Sequence, residues 1–157
     1  MTLRIGILGA ARIAPFALIK HARTLPDVEV VAVAEEYQGP EALAKYARKH
    51  GIPSTHRSFD ELLARPDIDA VYVPLPISMH VEWTLRAIAA GKHVLCEKPM
   101  AANAGEAARI AEALPDIAAY AAHDGLVNVR PPVLLDVMAA QWLPAESTFD
   151  LVYCANM

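Results

Sequence analysis

The sequence contains few cysteines and no long uninterrupted apolar run, and both absences narrow the classes of protein to which it can belong. Its two cysteines, Cys96 and Cys154, lie in separate strand-like runs and do not provide the disulfide framework typical of small secreted domains. Charged residues and prolines interrupt the apolar runs well short of the roughly 20 residues that a membrane-spanning helix needs. The N-terminus carries no signal-peptide pattern. We therefore expect a cytoplasmic protein that does not enter a membrane.

Positive charge is also scarce, particularly toward the C-terminus. The formal net charge is −4 at pH 7, which disfavours general nucleic-acid binding because such surfaces need an excess of basic side chains. Residues 1–114 hold 13 basic and 13 acidic side chains, whereas residues 115–157 hold five acids and one base, Arg130. The composition therefore changes near residue 115.

The 157 residues are 55% apolar, which suits one domain that buries roughly 70% of its unfolded surface. Strand-like and helix-like patterns alternate along most of the chain, as is typical of βαβ units. The sequence therefore predicts a single α/β domain with a doubly wound, mostly parallel sheet. The predicted strands are Leu3–Leu8, Val28–Ala34, 55–56, Ala70–Val73, His93–Cys96, 133–137 and 148–154, and the predicted helices are 13–24, 41–50, 58–63, 78–90 and 103–114.

Local patterns also predict how some of these helices begin and pack. Ser58 and Glu61 form a capping-box pattern at the start of the third helix. Ser78 is the predicted N-cap of the fourth helix. In the first helix, Ile13, Phe16, Leu18 and Ile19 are expected on or near one face.

A turn of small residues follows the first predicted strand and precedes the first helix. Dinucleotide sites use such turns so that the backbone can approach the pyrophosphate, which then lies at the helix N-terminus. Gly9 and Ala14 fill the first and third positions of a G-x-G-x-x-G/A pattern, but Ala11 replaces the usual second glycine. A tight turn without a ligand is the alternative interpretation. The candidate cofactor-binding residues of this turn are Gly9, Ala10, Ala11, Arg12 and Ile13.

An acidic residue, Glu35, ends the second predicted strand, at the distance along the chain where a carboxylate would accept both ribose hydroxyls of NAD. A solvated strand end is the alternative, since Glu36 follows directly. Two carboxylates would repel the 2′-phosphate of NADP, so the sequence favours NAD as the cofactor. Arg12 could offset that repulsion, and NADP therefore remains an alternative.

Two later segments extend the pattern. The segment Tyr72-Val73-Pro74-Leu75-Pro76 ends a strand before a helix that contains His80 and Trp83. The segment His93-Val94-Leu95-Cys96-Glu97-Lys98-Pro99 ends the next strand. Together with the opening RIGILGAARIAP, these segments closely resemble the N-terminal Rossmann domain of the glucose–fructose oxidoreductase and inositol dehydrogenase family (Gfo/Idh/MocA).

The resemblance covers residues 1–114 and implies an NAD(P)-dependent oxidoreductase acting on sugars, inositols or dihydrodiols. It implies that Lys98 is catalytic, contacting the substrate hydroxyl and helping to move its proton, that Glu97 orients Lys98, and that Pro99 fixes the turn, often through a cis peptide. It also implies that the loop before the fourth helix passes along the cofactor. The residues that it implies in cofactor binding are Pro74, Leu75, His80, Glu97 and Pro99.

Some of these residues have simpler interpretations. His80 can be an ordinary histidine at the start of a helix, and Trp83 can be a core residue. Ile77 departs from the family pattern, in which relatives often carry asparagine, and this removes a polar contact near the cofactor.

Residues 115–157 resemble the middle of a class I S-adenosylmethionine-dependent methyltransferase. In such enzymes a strand like the one containing Asp136 brings an acid near the adenine, and a strand like residues 150–156 carries a loop beside the methyl donor. We therefore expect a chimera in which residues 1–114 form the dinucleotide-binding portion and residues 115–157 complete the same sheet. A divergent natural tail is the alternative.

The resulting expectation is a dinucleotide-binding module with little or no turnover and no metal. One alternative is a working oxidoreductase completed by oligomerisation or by a partner, and another is a folded chain that binds nothing tightly. An apolar face left uncovered would favour a homodimer. We expect no specific binding of S-adenosylmethionine, because no glycine-rich turn accompanies Asp136.

Overall fold

The computed structural model describes residues 2–113, and the predictions for residues 114–157 lie outside this range. The strands are β1 (Leu3–Leu8), β2 (Val28–Ala34), β3 (Ser54–His56), β4 (Ala70–Val73) and β5 (His93–Cys96). A π-helix (Pro15–Ile19) continues as α1 (Lys20–Ala22), and the other helices are α2 (Pro40–Lys49), α3 (Phe59–Leu63), α4 (Ile77–Ala89) and α5 (Ala104–Ala113).

The five described strands form one sheet in the order β3-β2-β1-β4-β5, and every neighbouring pair is parallel. The order reverses between β1 and β4, because the chain first adds strands on one side of β1 and then on the other. In an open parallel sheet this reversal leaves a crevice at the carboxyl ends of the strands, where ligands bind. The predicted doubly wound α/β fold is therefore confirmed.

Apolar side chains cover both faces of the sheet. On one face, Leu62 and Trp83 pack with Phe59, and the rings of Trp83 and Phe59 meet edge to face with centroids 4.8 Å apart. On the other face, Leu43 of α2 packs with Tyr72 of β4. Trp83 is thus a core residue, as the simpler of the two sequence interpretations held.

The first helix differs from its prediction. It begins at Pro15 instead of Ile13, and its first turn is a π-helix. Ile13 is 47% exposed and Phe16 is 71% exposed, whereas Leu18 and Ile19 are buried, so the four side chains do not share one face as predicted. A π-turn holds more residues than an α-turn, so the 3.6-residue spacing of an α-helix does not apply to Pro15–Ile19.

The predicted caps differ as well. Ser58 is the N-cap of α3, but its side chain makes no capping hydrogen bond. The Glu36 carboxylate instead accepts a hydrogen bond from the first residue of α3, since the Phe59 N–H donates to its Oε1 at 2.8 Å. Ser78 lies inside α4, because the N-cap of that helix is Pro76, and the prediction of a serine cap there is wrong. None of the helices described between residues 2 and 113 has the length and apolar character that crossing a membrane requires.

Candidate dinucleotide-binding site

The turn after β1 requires glycine at its first position. Gly9 has φ +100°, a conformation that other residues adopt at a cost. Its N–H donates to the Ala34 carbonyl at 2.8 Å, which fixes the turn against the end of β2. A Cβ atom at this position would lie 2.9 Å from Leu75 Cδ2, in the loop that follows β4. The absent side chain therefore lets the β1 turn and the β4 loop touch.

The turn contains backbone donors that have no acceptor among the described residues. Within the described residues, the N–H groups of Ala11, Arg12 and Ile13 donate no hydrogen bond, whereas the Ala10 N–H is already used. The side chains of Arg12 and Ile13 are exposed beside them, and Ala14 is buried below. Three consecutive free donors before a helix, next to an exposed guanidinium, form an arrangement that suits a phosphate.

A residue that the sequence analysis missed holds this turn from the opposite side. The hydroxyl of Tyr46, in α2, donates to the Ala11 carbonyl at 3.0 Å. Burial raises the pKa of Tyr46 to about 12. Helical periodicity places Tyr46 beside the buried Leu43 and Ala47, but only the tertiary fold reveals its hydrogen bond to the turn.

Glu35 braces the same turn from the end of β2. It is only 5% exposed, and its Oε2 accepts hydrogen bonds from the Ala10 N–H at 3.0 Å and Gln38 Nε2 at 3.1 Å. Its Oε1 accepts from the N–H groups of Tyr37 at 2.9 Å and Gln38 at 3.3 Å. These four bonds use the roughly four acceptor positions of a carboxylate. A ribose hydroxyl would therefore have to displace one of these donors, and the ribose role of Glu35 stays a prediction.

His80 lies between two loops instead of facing solvent. It is 2% exposed, with its Nε2 2.6 Å from the Leu75 carbonyl oxygen and its Nδ1 2.8 Å from the Pro99 carbonyl oxygen. A neutral imidazole carries one N–H and can donate to only one of these oxygens, whereas an imidazolium donates to both. In either form the ring lies between the loop after β4 and the turn after β5, and as an imidazolium it joins them by two hydrogen bonds.

The turn after β5 carries the remaining predicted residues. The Glu97 N–H donates to the Val73 carbonyl at 3.1 Å, which continues the pairing of β4 with β5. Glu97 Oε1 accepts the hydroxyl hydrogen of Tyr72, and its Oε2 accepts the Lys98 N–H at 3.2 Å. The Lys98–Pro99 peptide is cis, as the resemblance implied. The Lys98 side chain is exposed.

The structure thus brings the predicted residues to one edge of the sheet. Residues 9–13, the predicted phosphate turn, contact Leu75, and Leu75 is linked through His80 to Pro99 beside Lys98. Among residues 2–113, no group of three or more His, Cys, Asp and Glu side chains is arranged to hold a metal ion. A separate open cavity of about 280 Å³ lies beside the start of β2, lined by residues that include Arg23, Glu29 and His50.

Comparison with known proteins agrees with this arrangement. Residues 3–119 match the Gfo/Idh/MocA oxidoreductase family with its NAD-binding Rossmann fold. The chain belongs to this family, and its described fold is an NAD(P)-binding Rossmann domain.

Two curated relatives illustrate the range of similarity. An uncharacterized oxidoreductase from Rhizobium meliloti is 45% identical over 107 residues, which cover 68% of this chain and 31% of that protein. The dTDP-3,4-didehydro-2,6-dideoxy-alpha-D-glucose 3-reductase of Streptomyces violaceoruber is 42% identical over 169 residues, covering 99% of this chain and 48% of the reductase. The chain thus spans between about a third and a half of these relatives.

Among solved structures, the chain resembles KijD10, a 3-ketoreductase from Actinomadura kijaniata, in complex with NADP and TDP-benzene. The TM-score is 0.67 at 34% identity, over 74% of this chain and 35% of that one. The comparisons give no evidence for a methyltransferase-like segment or for a chimera. The alignment with the Streptomyces violaceoruber reductase includes nearly all of residues 115–157, because it covers 99% of the chain.

The raised pKa of Tyr46 predicts a specific loss of stability at high pH. Because the folded pKa is about 12 and the unfolded value is 10.0, the contribution of the neutral phenol is complete below pH 10. It is lost as the pH rises from 10 toward 12. Urea unfolding at several pH values should therefore show a steeper decline in wild type than in Tyr46→Phe.

A matched variant tests whether this effect belongs to Tyr46. Tyr37→Phe removes a hydroxyl from a ring that is 70% exposed, and it should follow the wild-type pH dependence. Parallel curves for wild type and Tyr46→Phe above pH 10 would contradict the assignment.

Proposed function

We propose that this chain forms the cofactor-binding part of an oxidoreductase that transfers a hydride between a nicotinamide dinucleotide and a sugar-like alcohol or ketone. The observation that carries the proposal is the contact chain from the phosphate turn at Gly9 through Leu75 and His80 to the turn of Lys98. It supports a phosphate site and a lysine that would handle a hydroxyl proton at the same edge of the sheet.

The residues of this edge fit a dinucleotide. The three free N–H groups of residues 11–13 and the guanidinium of Arg12 would bind the pyrophosphate, and the Pro74–Pro76 loop would lie along the nicotinamide half. When bound, the nicotinamide supplies or accepts the hydride. Lys98 would hold the substrate oxygen by its ammonium group, donating a proton as a carbonyl becomes an alcohol. In the reverse direction, the neutral amine would accept that proton.

The names of the relatives support the substrate class. The Streptomyces violaceoruber relative is a 3-reductase of a didehydro-dideoxy sugar nucleotide, and the Actinomadura kijaniata relative is a 3-ketoreductase. Both names describe reduction of a ketone, and the first places it on a sugar. We infer a ketone or secondary alcohol on a sugar ring as the reacting group, with inositols and dihydrodiols as the alternatives.

The phosphate turn gives the first test of this proposal. Gly9→Ala forces a Cβ into Leu75 and strains a positive φ, so we expect NADH affinity to fall by at least about tenfold, equivalent to about 1.4 kcal/mol. Gly51→Ala is the matched control, because Gly51 also has a positive φ, +58°, but lies at the end of α2. It should change the affinity by less than about twofold, a shift that corresponds to only a few tenths of a kcal/mol.

Isothermal calorimetry with NADH measures both affinities, with S-adenosylmethionine as the ligand for which we expect no binding. An equal loss in the two variants would show that backbone strain, and not the turn, controls affinity. Absence of NADH binding by wild type at millimolar concentration would refute the proposed site.

The two carboxylates that follow β2 suggest a preference for NAD over NADP. Glu35 lies against the phosphate turn, and Glu36 is beside it, so a 2′-phosphate would meet negative charge from both. We expect the wild-type chain to bind NADH more tightly than NADPH. Glu36→Gln should narrow this difference, because glutamine keeps an acceptor for the Phe59 N–H but removes the charge.

The control for this comparison is Glu41→Gln, which removes a carboxylate from the first turn of α2. It should leave the NADH to NADPH affinity ratio closer to wild type than Glu36→Gln does. Tighter binding of NADPH than NADH by the wild-type chain would contradict the role of the two carboxylates and favour Arg12 as the selective group.

We further propose that the 157-residue chain alone has little turnover, because Lys98 is exposed and no described residue encloses a substrate beside it. Assays with NAD and sugars, inositols or dihydrodiols should stay near background, in wild type as in Lys98→Ala. Steady NADH formation that Lys98→Ala abolishes would overturn this and favour a working enzyme completed by self-association. The division at residue 115, the chimera and the homodimer remain predictions from composition and sequence pattern.

A further inference from the structure

Lys98 is an exposed side chain between two residues whose positions are fixed. Within residues 2–113 its ammonium group makes no hydrogen bond or ion pair, so its position depends on the backbone that carries it. A lysine side chain is long and flexible, so the position of its backbone sets the region that its ammonium group can reach. The contacts of the two neighbouring residues therefore decide where the lysine can reach.

On the N-terminal side of Lys98, the contact is made through Glu97 by Tyr72, a residue of the core. Tyr72 is 1% exposed, lies on β4 and is paired in register with Leu95 on β5. Its hydroxyl donates to Glu97 Oε1, and Glu97 Oε2 in turn accepts the Lys98 N–H at 3.2 Å. The Glu97 carboxylate thus connects a buried phenol to the backbone of the lysine.

The contact on the C-terminal side is the buried ring of His80. Its Nδ1 lies 2.8 Å from the Pro99 carbonyl oxygen, and its Nε2 lies 2.6 Å from that of Leu75. The residue after Lys98 is therefore tied to the β4 loop. Because His80 already holds Pro99, the freedom of Lys98 to move depends on the contacts of Glu97.

The hydroxyl of Tyr72 is not needed for packing. The ring lies in the apolar cluster with Leu43 and Ile7, where phenylalanine would fill nearly the same volume. A buried hydroxyl costs free energy unless it is hydrogen-bonded, and Glu97 supplies an acceptor with a charge. The hydroxyl thus acts on the turn after β5.

We propose that Tyr72 is a positioning residue that sets the location of Lys98 by holding the Glu97 carboxylate. The inference rests on the proposed function of this edge, in which Lys98 handles the substrate proton. Removing the hydroxyl frees the Glu97 carboxylate from the core and lets the backbone of Lys98 shift. The Glu97 N–H still donates to the Val73 carbonyl, and the phosphate turn keeps its own contacts.

The test compares Tyr72→Phe with Tyr46→Phe, two variants that each remove one tyrosine hydroxyl near the site. NMR spectra of the chain with ¹³C,¹⁵N-labelled lysine report on each of its five lysines, and Lys98→Ala assigns the signal of interest. We expect Tyr72→Phe to shift the Lys98 amide and side-chain signals, and Tyr46→Phe to leave them unchanged. Lys92, whose Nζ donates to the carbonyls of Arg65 and Ile68, is the internal reference.

A double-mutant cycle separates positioning from general loosening of the fold. In a Glu97→Ala background the link is already broken, so Tyr72→Phe should shift the Lys98 signals no further. Equal shifts with and without Glu97, or no shift in Tyr72→Phe, would overturn the inference. Failure of wild type to bind NADH would refute the proposed function separately, since the lysine spectra are recorded without ligand.

Discussion

The contact between the Gly9 turn and the Leu75 loop is the constraint on which the site depends. It exists because a parallel sheet of order β3-β2-β1-β4-β5 puts the carboxyl ends of β1 and β4 side by side. A Cβ on Gly9 would lie 2.9 Å from Leu75 Cδ2, so a larger residue would have to displace the Leu75 side chain and adopt a positive φ. His80 extends the contact from Leu75 to Pro99, and the site is therefore continuous from the phosphate turn to the lysine.

The sequence allowed most of the fold to be predicted, because its strands are short β-branched runs bounded by glycine, proline and charge. The strands Ala70–Val73 and His93–Cys96 were predicted with the bounds that the structure gives them. The first helix was not predicted correctly. The prediction assumed the 3.6-residue period of an α-helix, whereas this helix begins with a π-turn. The exposed Ile13 and Phe16 were consequently assigned to the same face as the buried Leu18 and Ile19.

Only those residues of the site whose role follows from the local backbone pattern were predictable from the sequence. Gly9 was identifiable because its position in a strand–turn–helix pattern requires a residue without a side chain. The hydroxyls of Tyr46 and Tyr72 were not, since their acceptors lie 35 and 25 residues away in the chain and only the sheet order brings them close. Glu35 was found for its position after β2, but its bond to the Ala10 N–H shows that it also braces the phosphate turn.

The measurement that tests the central claim most directly is the map of backbone amide shifts when NADH is added to the ¹⁵N-labelled chain. The account predicts that the largest changes cluster at residues 10–13, at Leu75 and at the turn around Lys98. Amides around the separate cavity of Arg23 and His50 should stay nearly unchanged. Changes concentrated at that cavity, or changes at the phosphate turn that never reach Leu75 and Lys98, would contradict a single continuous site.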